Sequence, residues 1–282
     1  MAATLTSTAS APGSACASCA LYNHAQLRKL GINTDDYDYV VALAGNPNTG
    51  KSTIFNALTG LRQHVGNWPG KTVARAEGGF VYDASKFKLV DLPGTYSLLS
   101  TSTDEEIARD FILFGQPTVT VVVLDATRLE RNLNLALQIL EITDRVVVAL
   151  NLMDEAERHG IRVDARHLSK QLGVPVIPMA ARQREGIPQL LDAVAQTAAG
   201  THTPRAHHIH YRDAQLERAV SELAAQVEAE FPGLPNARWV ALRLLDDDLS
   251  IVQAVRDRTL GDLARSAAPA PSAQAAALER AS

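Results

Sequence analysis

The amino-acid sequence predicts an α/β fold, in which a mostly parallel sheet carries helices on both faces and a small all-α domain follows. Between residues 38 and 200, short runs of β-branched residues alternate with segments of helical periodicity. This alternation is typical of parallel sheets with crossover helices. Beyond residue 200 the β-branched runs stop and amphipathic helical segments follow. The 282 residues are 46% hydrophobic and 21% charged, which is ordinary for a globular protein.

The individual elements follow from the apolar runs and from the residues that end them. Strands are expected at 39–45, 118–126, 145–154 and 174–181, with two more in 79–94 joined by a tight turn at 83–85. Helices are expected at 51–60, 103–115, 132–143 and 186–198, and then at 213–231, 236–248 and 249–266. Thr103 and Glu106 have the spacing of a capping box, which predicts Thr103 as the first residue of that motif.

The chain divides into four parts by composition. Residues 1–37 are expected to be a largely disordered N-terminal extension, because their first half is rich in Ala, Ser and Thr. Residues 38–200 are the predicted α/β domain and residues 201–266 the predicted helical domain. Residues 267–282 form an Ala/Pro-rich tail.

Composition also limits the classes of function. The net charge of −4, from 27 basic and 31 acidic side chains, argues against nucleic acid as a partner. No apolar run approaches the roughly 20 residues that span a bilayer, and the N-terminus lacks the basic leader of a signal peptide. Two cysteines in a chain of this length fit a reducing cytosol.

The segment GNPNTGKST, residues 45–53, fits G-x-x-x-x-G-K-[ST] between a predicted strand and a predicted helix. Its glycines let backbone N–H groups curve around an anion, and the helix N-terminus adds partial positive charge. Lys51 is expected to reach the β- and γ-phosphates and to act in catalysis, and Ser52 is expected to bind Mg²⁺. The predicted nucleotide-binding residues of this loop are Gly45, Asn46, Asn48, Thr49, Gly50, Lys51, Ser52 and Thr53.

The segment NLMD, residues 151–154, favours guanine over adenine. The Asp154 carboxylate can accept hydrogen bonds from N1–H and from the 2-amino group of guanine. Adenine lacks both donors and would leave the carboxylate desolvated and unpaired, which is costly enough to decide selectivity. Asn151 is expected to tie this loop to the phosphate loop. Ala180 and Ala181, after the last predicted strand, are expected to support the guanine ring.

Two further segments are predicted to meet the γ-phosphate. In DLPG, residues 91–94, Asp91 is expected to hold Mg²⁺ and Gly94 to donate its N–H to the γ-phosphate as part of the catalytic set. The segment 61–75 is expected to be a mobile loop, and its threonine, Thr72, to close on Mg²⁺ and the γ-phosphate. Trp68, at the centre of this loop, is expected to be exposed or to face a partner.

Together, GNPNTGKSTIFNALTG, GNWPGKTVAR, DLPGTYSL and NLMD resemble the ferrous iron transport protein B family (FeoB), in particular its N-terminal cytosolic GTPase domain. The resemblance covers residues 38–200, and the helical segments after residue 210 are similar to the helical domain that follows in that family. It implies a P-loop GTPase-type fold and a GTP-hydrolysing switch at the inner face of the cell membrane, in a bacterial ferrous iron uptake system.

The resemblance also implies partners and cofactors. These are GTP or GDP, Mg²⁺, K⁺ and a membrane transporter domain that this sequence does not contain; self-association is left open. Asn48, at the family's phosphate-loop asparagine, is implied to help bind K⁺ where other GTPases use an arginine finger.

Two positions depart from the general GTPase pattern. Thr95 follows DLPG where many GTPases carry a glutamine that orients the attacking water, so slow hydrolysis is expected. Leu152 stands where many guanine loops have a lysine whose stem covers the base. Weak nucleotide affinity and fast GDP release are therefore expected.

Some alternatives stay open. A potassium-dependent ribosome-assembly or RNA-associated GTPase shares the phosphate loop, but it predicts a basic surface that the region after residue 200 lacks. Arg128 and Arg131 are better explained as surface charge than as arginine fingers. Two groups of side chains could form a metal site, although solvated residues are the simpler interpretation of each. These groups are Cys16 and Cys19, and His202, His207, His208 and His210.

Overall fold

The computed structural model describes residues 27–28, 30–60, 63–99, 102–201, 213–232, 234, 236–258 and 260. Both cysteines and the histidines at 202–210 lie outside these residues. Within the described part of the chain, no helix is long and apolar enough to cross a membrane.

One sheet of seven strands forms the centre of the fold. The strands are β1 (Tyr39–Gly45), β2 (Gln63–Asn67), β3 (Ala74–Tyr82), β4 (Ser85–Asp91), β5 (Val119–Asp125), β6 (Val146–Asn151) and β7 (Val176–Pro178). Their order is β2–β3–β4–β1–β5–β6–β7. Pairing is parallel from β4 across to β7, and β3 is antiparallel to both of its neighbours. The predicted fold class, a mostly parallel sheet, is confirmed.

Helices cover both faces of this sheet. They are α1 (Lys51–Thr59), α2 (Thr103–Asp110), α3 (Leu129–Leu140), α4 (Met153–Arg158), α5 (Ala165–Leu172), α6 (Ile187–Ala198), α7 (Ala214–Glu230), α8 (Ala237–Leu245) and α9 (Leu249–Arg256). A π-helical turn, Phe111–Gly115, continues α2, and a 3₁₀ turn, Ala181–Gln183, follows β7.

Successive residues of a strand point to opposite faces of a sheet, and this alternation builds two cores. On one face, Val41 and Leu43 of β1 share a buried cluster with Ile54 of α1 and Leu190 of α6. On the other face, Val40 and Ala42 belong to a larger cluster that includes α2, α3 and the helices after residue 213. The helical domain is therefore continuous with one core of the sheet.

The helical domain docks on the sheet domain through polar contacts as well. Asn236 donates from Nδ2 to the carbonyl of Ile142, at 2.9 Å, just after α3. Arg109 of α2 is only 2% exposed and donates from Nη1 to Ser250 Oγ of α9 at 2.9 Å. Because α2 follows the DLPG segment in sequence, this contact joins the element after DLPG to the helical domain.

The segment 61–75 differs from its prediction as a mobile loop. Residues 63–67 form β2, which pairs with β3 in antiparallel register, Val65 opposite Ala76. The pattern was missed because most β2 side chains are exposed and show no apolar alternation. Trp68 is 4% exposed, so its prediction as an exposed or partner-facing residue is wrong. Its ring packs edge-on against Phe111, with ring centroids 5.6 Å apart.

The start of α2 is shifted by one residue from the prediction. Ser102, not Thr103, is the N-cap, and its hydroxyl accepts a hydrogen bond from the Glu105 N–H. The same Ser/Thr-x-x-Glu spacing fits both Ser102–Glu105 and Thr103–Glu106, so the sequence alone could not separate them. The expected turn between β3 and β4 is present, with positive φ at Asp83 and Ala84.

Part of the N-terminal extension is packed against the sheet domain. Leu27, Leu30 and Ile32 are buried, and Asp38 exchanges hydrogen bonds with the backbone of Lys86 at the start of β4. The described residues before β1 are therefore part of the packed fold.

Candidate functional site

The phosphate loop connects the end of β1 to the start of α1. Gly50 has φ +84, and a Cβ there would collide with the Asn151 side chain. A Cβ at Gly45 would lie 2.8 Å from the Val123 carbonyl of the neighbouring strand. Glycine is required at both positions because β5 and the last residue of β6 approach the loop closely. The first turn of α1 carries no acidic side chain and no side-chain cap, so no side chain of that turn would compete with an anion for its N–H groups.

The other residues of the loop differ in exposure. Thr49 is buried and its hydroxyl donates to the Asn46 carbonyl at 2.9 Å. The Asn46 side chain is also buried, and neither of its amide atoms has a hydrogen-bond partner among the described residues. Asn48, with φ +66, and the side chains of Ser52 and Thr53 are exposed.

Lys51 and Asp91 form the ionic centre of the site. Lys51 Nζ lies 2.5 Å from Asp91 Oδ1, and both side chains are largely buried. Asp91 reaches this place because β4 pairs in parallel with β1, with Leu43 opposite Asp91. Burial raises the pKa of Asp91, and the neighbouring Lys51 ammonium only partly offsets that effect. Displacement of Lys51 towards a phosphate would free Asp91 for a cation.

The DLPG turn lies directly against the phosphate loop. The Thr95 N–H donates to the Gly45 carbonyl at 3.3 Å, and a Cβ on Gly94 would sit 3.4 Å from Pro47. The Thr95 hydroxyl is buried and donates to the Ser97 carbonyl at 2.7 Å. It is thus engaged within its own turn rather than directed at a water.

Asn151 connects the end of β6 and the loop after β7 to the phosphate loop. Its Nδ2 donates to the Thr49 carbonyl at 2.9 Å, and its Oδ1 accepts from the Ala181 N–H at 3.0 Å. The side chain is 2% exposed, so these bonds are shielded from water. A single buried amide therefore fixes the β6 and β7 loops relative to the phosphate loop. Ala180, beside it, exchanges backbone hydrogen bonds with Glu185 and is not free to donate.

Asp154 opens onto a cavity of about 520 Å³, a volume within the range of small-molecule pockets. Its walls include Leu152, Arg158, Ala181 and Gln183. Asp154 Oδ2 accepts hydrogen bonds from Arg158 Nη2 and from Gln183 Nε2, each at 2.9 Å. Burial acts to raise the pKa of Asp154, but the hydrogen bonds from Gln183 and Arg158, the charge of Arg158 and a hydrogen bond from the Glu155 backbone together outweigh it and hold that pKa below its usual value.

Arg158 and Gln183 were not predicted from the sequence. The i, i+4 spacing of Asp154 and Arg158 on a helix could have identified the first. No sequence signal identifies Gln183, because its reach to Asp154 depends on the 3₁₀ turn after β7.

Thr72 lies at the end of the sheet that also carries Asp91. Ala76 of β3 pairs with Asp91 of β4, so the tip of the β2–β3 hairpin extends past the same end of the sheet as Asp91. Thr72 itself is exposed, and within the described residues no hydrogen bond joins it to Ser52, Lys51 or Asp91. The hairpin tip therefore lies at the edge of the candidate site, but Thr72 does not contact Ser52, Lys51 or Asp91 through a hydrogen bond.

The donor atoms fit the ions that the sequence analysis expects. Asp91 and Ser52 offer the oxygen ligands that Mg²⁺ prefers, and Asp91 already holds a cation, the Lys51 ammonium. The Asn48 side chain is exposed beside the phosphate loop, where its carbonyl oxygen is accessible to a monovalent cation. Arg131, by contrast, stacks on the Tyr96 ring at 4.2 Å, which favours its interpretation as a surface residue.

Comparison with known proteins identifies the family. A sequence model described as "Ferrous iron transport protein B" matches residues 39–194, more than half of the chain, and one described as "FeoB cytosolic helical domain" matches residues 213–280. The chain belongs to the ferrous iron transport protein B family. The resemblance seen in the four motifs is thereby confirmed.

Curated FeoB relatives agree with this assignment. The chain is 43% identical over 213 residues to the Fe(2+) transporter FeoB of Salmonella typhimurium, covering 74% of this chain and 27% of that protein. The Escherichia coli K12 relative is 44% identical over the same shares. The chain thus spans only 27% of the length of these FeoB relatives.

Solved FeoB structures have the same fold. The cytosolic domain of L. pneumophila FeoB has a TM-score of 0.69 at 33% identity, over 81% of this chain and 96% of that one. The T. maritima cytosolic domain in apo form gives 0.72 at 35%, over 81% and 92%. An S. thermophilus NFeoB mutant bound to mGDP gives 0.70 at 34%, over 81% and 88%.

Proposed function

We propose that this chain is the GTP-binding switch of a bacterial ferrous iron uptake system and that it hydrolyses GTP slowly to GDP and phosphate. The observation that carries the proposal is the Asn151 side chain, bonded at once to the phosphate loop and to the loop after β7. In the proposed site this amide would keep the loops around the Asp154 carboxylate in place relative to the cradle of residues 45–53, so that the two bind opposite ends of one nucleotide. The mGDP-bound S. thermophilus relative supports guanine nucleotide as the ligand.

The proposed roles divide between base and phosphates. Asp154 accepts from the guanine edge, with Ala180 and Ala181 beside the ring and Asn151 holding the loops together. The phosphates lie in the cradle of residues 45–53, on the N–H groups of α1 and on Lys51. Gly94 contributes its N–H to the γ-phosphate.

Ser52, Thr72 and Asp91 would hold Mg²⁺ and Asn48 would help to hold K⁺, and when bound these ions would supply positive charge to the phosphates. The residues of the chain itself orient the nucleotide between Asp154 and the phosphate loop and maintain the geometry of the site. Since the Thr95 hydroxyl donates to Ser97, the turn offers no side chain to orient the attacking water. Slow hydrolysis follows from that arrangement.

The proposal extends to the organisation and the partners of the chain. Residues 38–200 act as the GTPase domain and residues 201–266 as the helical domain, between an extension (1–37) and a tail (267–282). The partner is a membrane transporter domain of the same system, with this chain at the cytoplasmic face; self-association is left open. The RNA-associated alternative gains no support from the family, and filter binding with RNA is expected to show no retention.

The test is the rate of GTP hydrolysis in K⁺ and in Na⁺ buffer. The proposal expects a slow rate that K⁺ raises several-fold and Na⁺ does not. Asn48→Ala is expected to abolish the difference while leaving GDP binding intact. Equal rates in both salts would overturn the K⁺ assignment, and phosphate release from ATP but not GTP would overturn the function itself.

A further inference from the structure

Residues 27–38 (apart from 29) precede the segment that the FeoB model matches, and we call them the brace. One end of the brace buries Leu27, Leu30 and Ile32, which are 1%, 6% and 1% exposed. The other end is fixed to β4, where the Asp38 N–H donates to the Lys86 carbonyl at 2.9 Å and Asp38 Oδ2 accepts from the Lys86 N–H at 2.8 Å. The brace is therefore packed at both ends.

Between its ends the brace touches the tip of the β2–β3 hairpin. Gly31 has φ +79, and a Cβ built on it would lie 2.8 Å from Pro69 Cγ and 3.1 Å from Arg75 Nη1. Arg75 Nη1 also donates to the Leu30 carbonyl at 3.4 Å. Only glycine allows this approach, and Pro69 lies three residues before Thr72.

Trp68 joins the hairpin tip to the π-helical turn after α2. Its ring meets Phe111 edge-on, and the Arg75 guanidinium lies over it at 5.5 Å. The same turn receives the brace, since a Cβ on Gly115 would lie 2.8 Å from Leu30 Cδ1. The hairpin tip, the brace and the end of α2 thus form one packed unit.

The Trp68 indole N–H has no hydrogen-bond partner among the described residues, although it is buried. Burying an unpaired donor opposes the packing that the ring gains. Trp68 would regain that hydrogen bond on leaving its pocket, so the packed position depends on the surfaces that surround it. The brace and Phe111 supply those surfaces.

We propose that the brace holds the hairpin tip away from closure, so that it lowers the affinity for GTP relative to GDP. The inference rests on the proposed function, in which Thr72 closes on Mg²⁺ and the γ-phosphate. In the packed arrangement Thr72 is exposed and makes no hydrogen bond to the phosphate-site residues named above. Closure must displace Pro69 and Trp68, and a ligand that needs closure binds in proportion to the population that allows it. The brace and Trp68 act by positioning and touch no reacting atom.

The test compares two glycine variants that carry the same backbone strain. Gly31→Ala places a methyl group against Pro69 and should push the hairpin tip off the brace. Gly200→Ala is the matched control, because Gly200 has φ +70 and a Cβ there would have no atom of the described residues within 4 Å. Calorimetry with Mg²⁺ measures the affinity of each for GDP and for the non-hydrolysable analogue GMPPNP.

Gly31→Ala is expected to raise the GMPPNP-to-GDP affinity ratio about fivefold. This is the result expected if the closed arrangement becomes about fivefold more populated, because GMPPNP binding scales with that population. Gly200→Ala is expected to leave the ratio unchanged. A ratio that is unchanged or lower in folded Gly31→Ala overturns the inference. If circular dichroism shows that Gly31→Ala does not fold, Pro69→Ala takes its place, since it removes the same contact from the hairpin side.

Tryptophan fluorescence provides a second readout that is independent of affinity. Trp68 and Trp239 are the two tryptophans of the chain, so a Trp239→Phe background isolates Trp68. GMPPNP with Mg²⁺ should shift Trp68 emission to the red, GDP should not, and Gly31→Ala should show the shift without nucleotide. Emission that stays blue in Gly31→Ala contradicts the brace. Failure of GDP to bind any better than ADP contradicts the proposed function instead.

Discussion

The base-binding loops and the hairpin tip reach the same edge of the sheet but are held there in different ways. The base loops are fastened from within, by the buried Asn151 amide that bonds to two backbones. The hairpin tip is held by apolar packing instead, of Trp68 on Phe111 and of Pro69 on the brace. Paired hydrogen bonds buried in the core resist local opening, whereas the packed position of the tip leaves the buried Trp68 indole N–H unpaired among the described residues, which favours its release. The base end is therefore built to stay in place and the phosphate end to change.

The largest effect is expected for Lys51→Ala. In the proposed site the Lys51 ammonium is the charged donor for the phosphates, and its loss also leaves the buried Asp91 without this partner. Nucleotide affinity is expected to fall by at least about 100-fold, since charge-assisted bonds to phosphate are among the strongest. Calorimetry with GDP measures it, with the surface variant Lys170→Ala as control. Affinity within threefold of the unmodified chain would show that the cradle does not hold the phosphates.

Asp154→Asn tests the fixed end of the site. An asparagine amide cannot accept both guanine donors, but it complements xanthine, so GDP affinity should fall by about 100-fold and xanthosine diphosphate affinity should rise. The control is Glu157→Gln, which alters a charge on the wall of the same cavity. Unchanged preference for GDP in Asp154→Asn would place base recognition elsewhere.

Thr72→Ala tests the movable end. GDP affinity should be unchanged, and GMPPNP affinity with Mg²⁺ should fall about tenfold through the loss of one ion contact and its hydrogen bond.

Hydrogen exchange sharpens the comparison between the two ends. GMPPNP should slow exchange at residues 63–73 while GDP does not, and both nucleotides should protect residues 148–154. Equal protection of both segments by GDP would erase the distinction between the ends.

The smallest effect concerns Gln183 at the base end. Asp154 Oδ2 already accepts from Arg158 and Gln183, so guanine must displace one donor to use both carboxylate oxygens. Gln183→Ala should raise GDP affinity about threefold, the net value of one hydrogen bond. Inosine diphosphate lacks the 2-amino group, and its affinity should not change; Gln196→Ala serves as the control. A fall in affinity for both nucleotides would mean that Gln183 orients Asp154 instead.

The same contrast decides how much the sequence could predict. Residues such as Gly45, Gly50, Asn151 and Asp91 act through backbone geometry or at the ends of strands, and short motifs encode those positions directly. The β-branched runs likewise predicted the strands from β1 to β7 other than β2. Around Asp154, its hydrogen-bond partners Arg158 and Gln183 were not predicted.

At the hairpin tip the sequence was misleading for physical reasons. Strand β2 is held by backbone pairing with β3, and its sequence lacks the apolar alternation that would predict a strand. Trp68 is buried by Phe111, a residue more than forty positions away in the chain, and by a tip that the brace supports. No local pattern contains that information, because the burial is a property of three segments together.

The central claim is that Asp154 and the phosphate loop bind opposite ends of one guanine nucleotide. Calorimetric titration of the chain with GDP and with ADP, under identical Mg²⁺ and K⁺ concentrations, tests it most directly. The account predicts saturable GDP binding and ADP binding weaker by at least about 100-fold, because adenine leaves the Asp154 carboxylate unpaired. Equal affinity for the two nucleotides, or no binding of GDP, would contradict it.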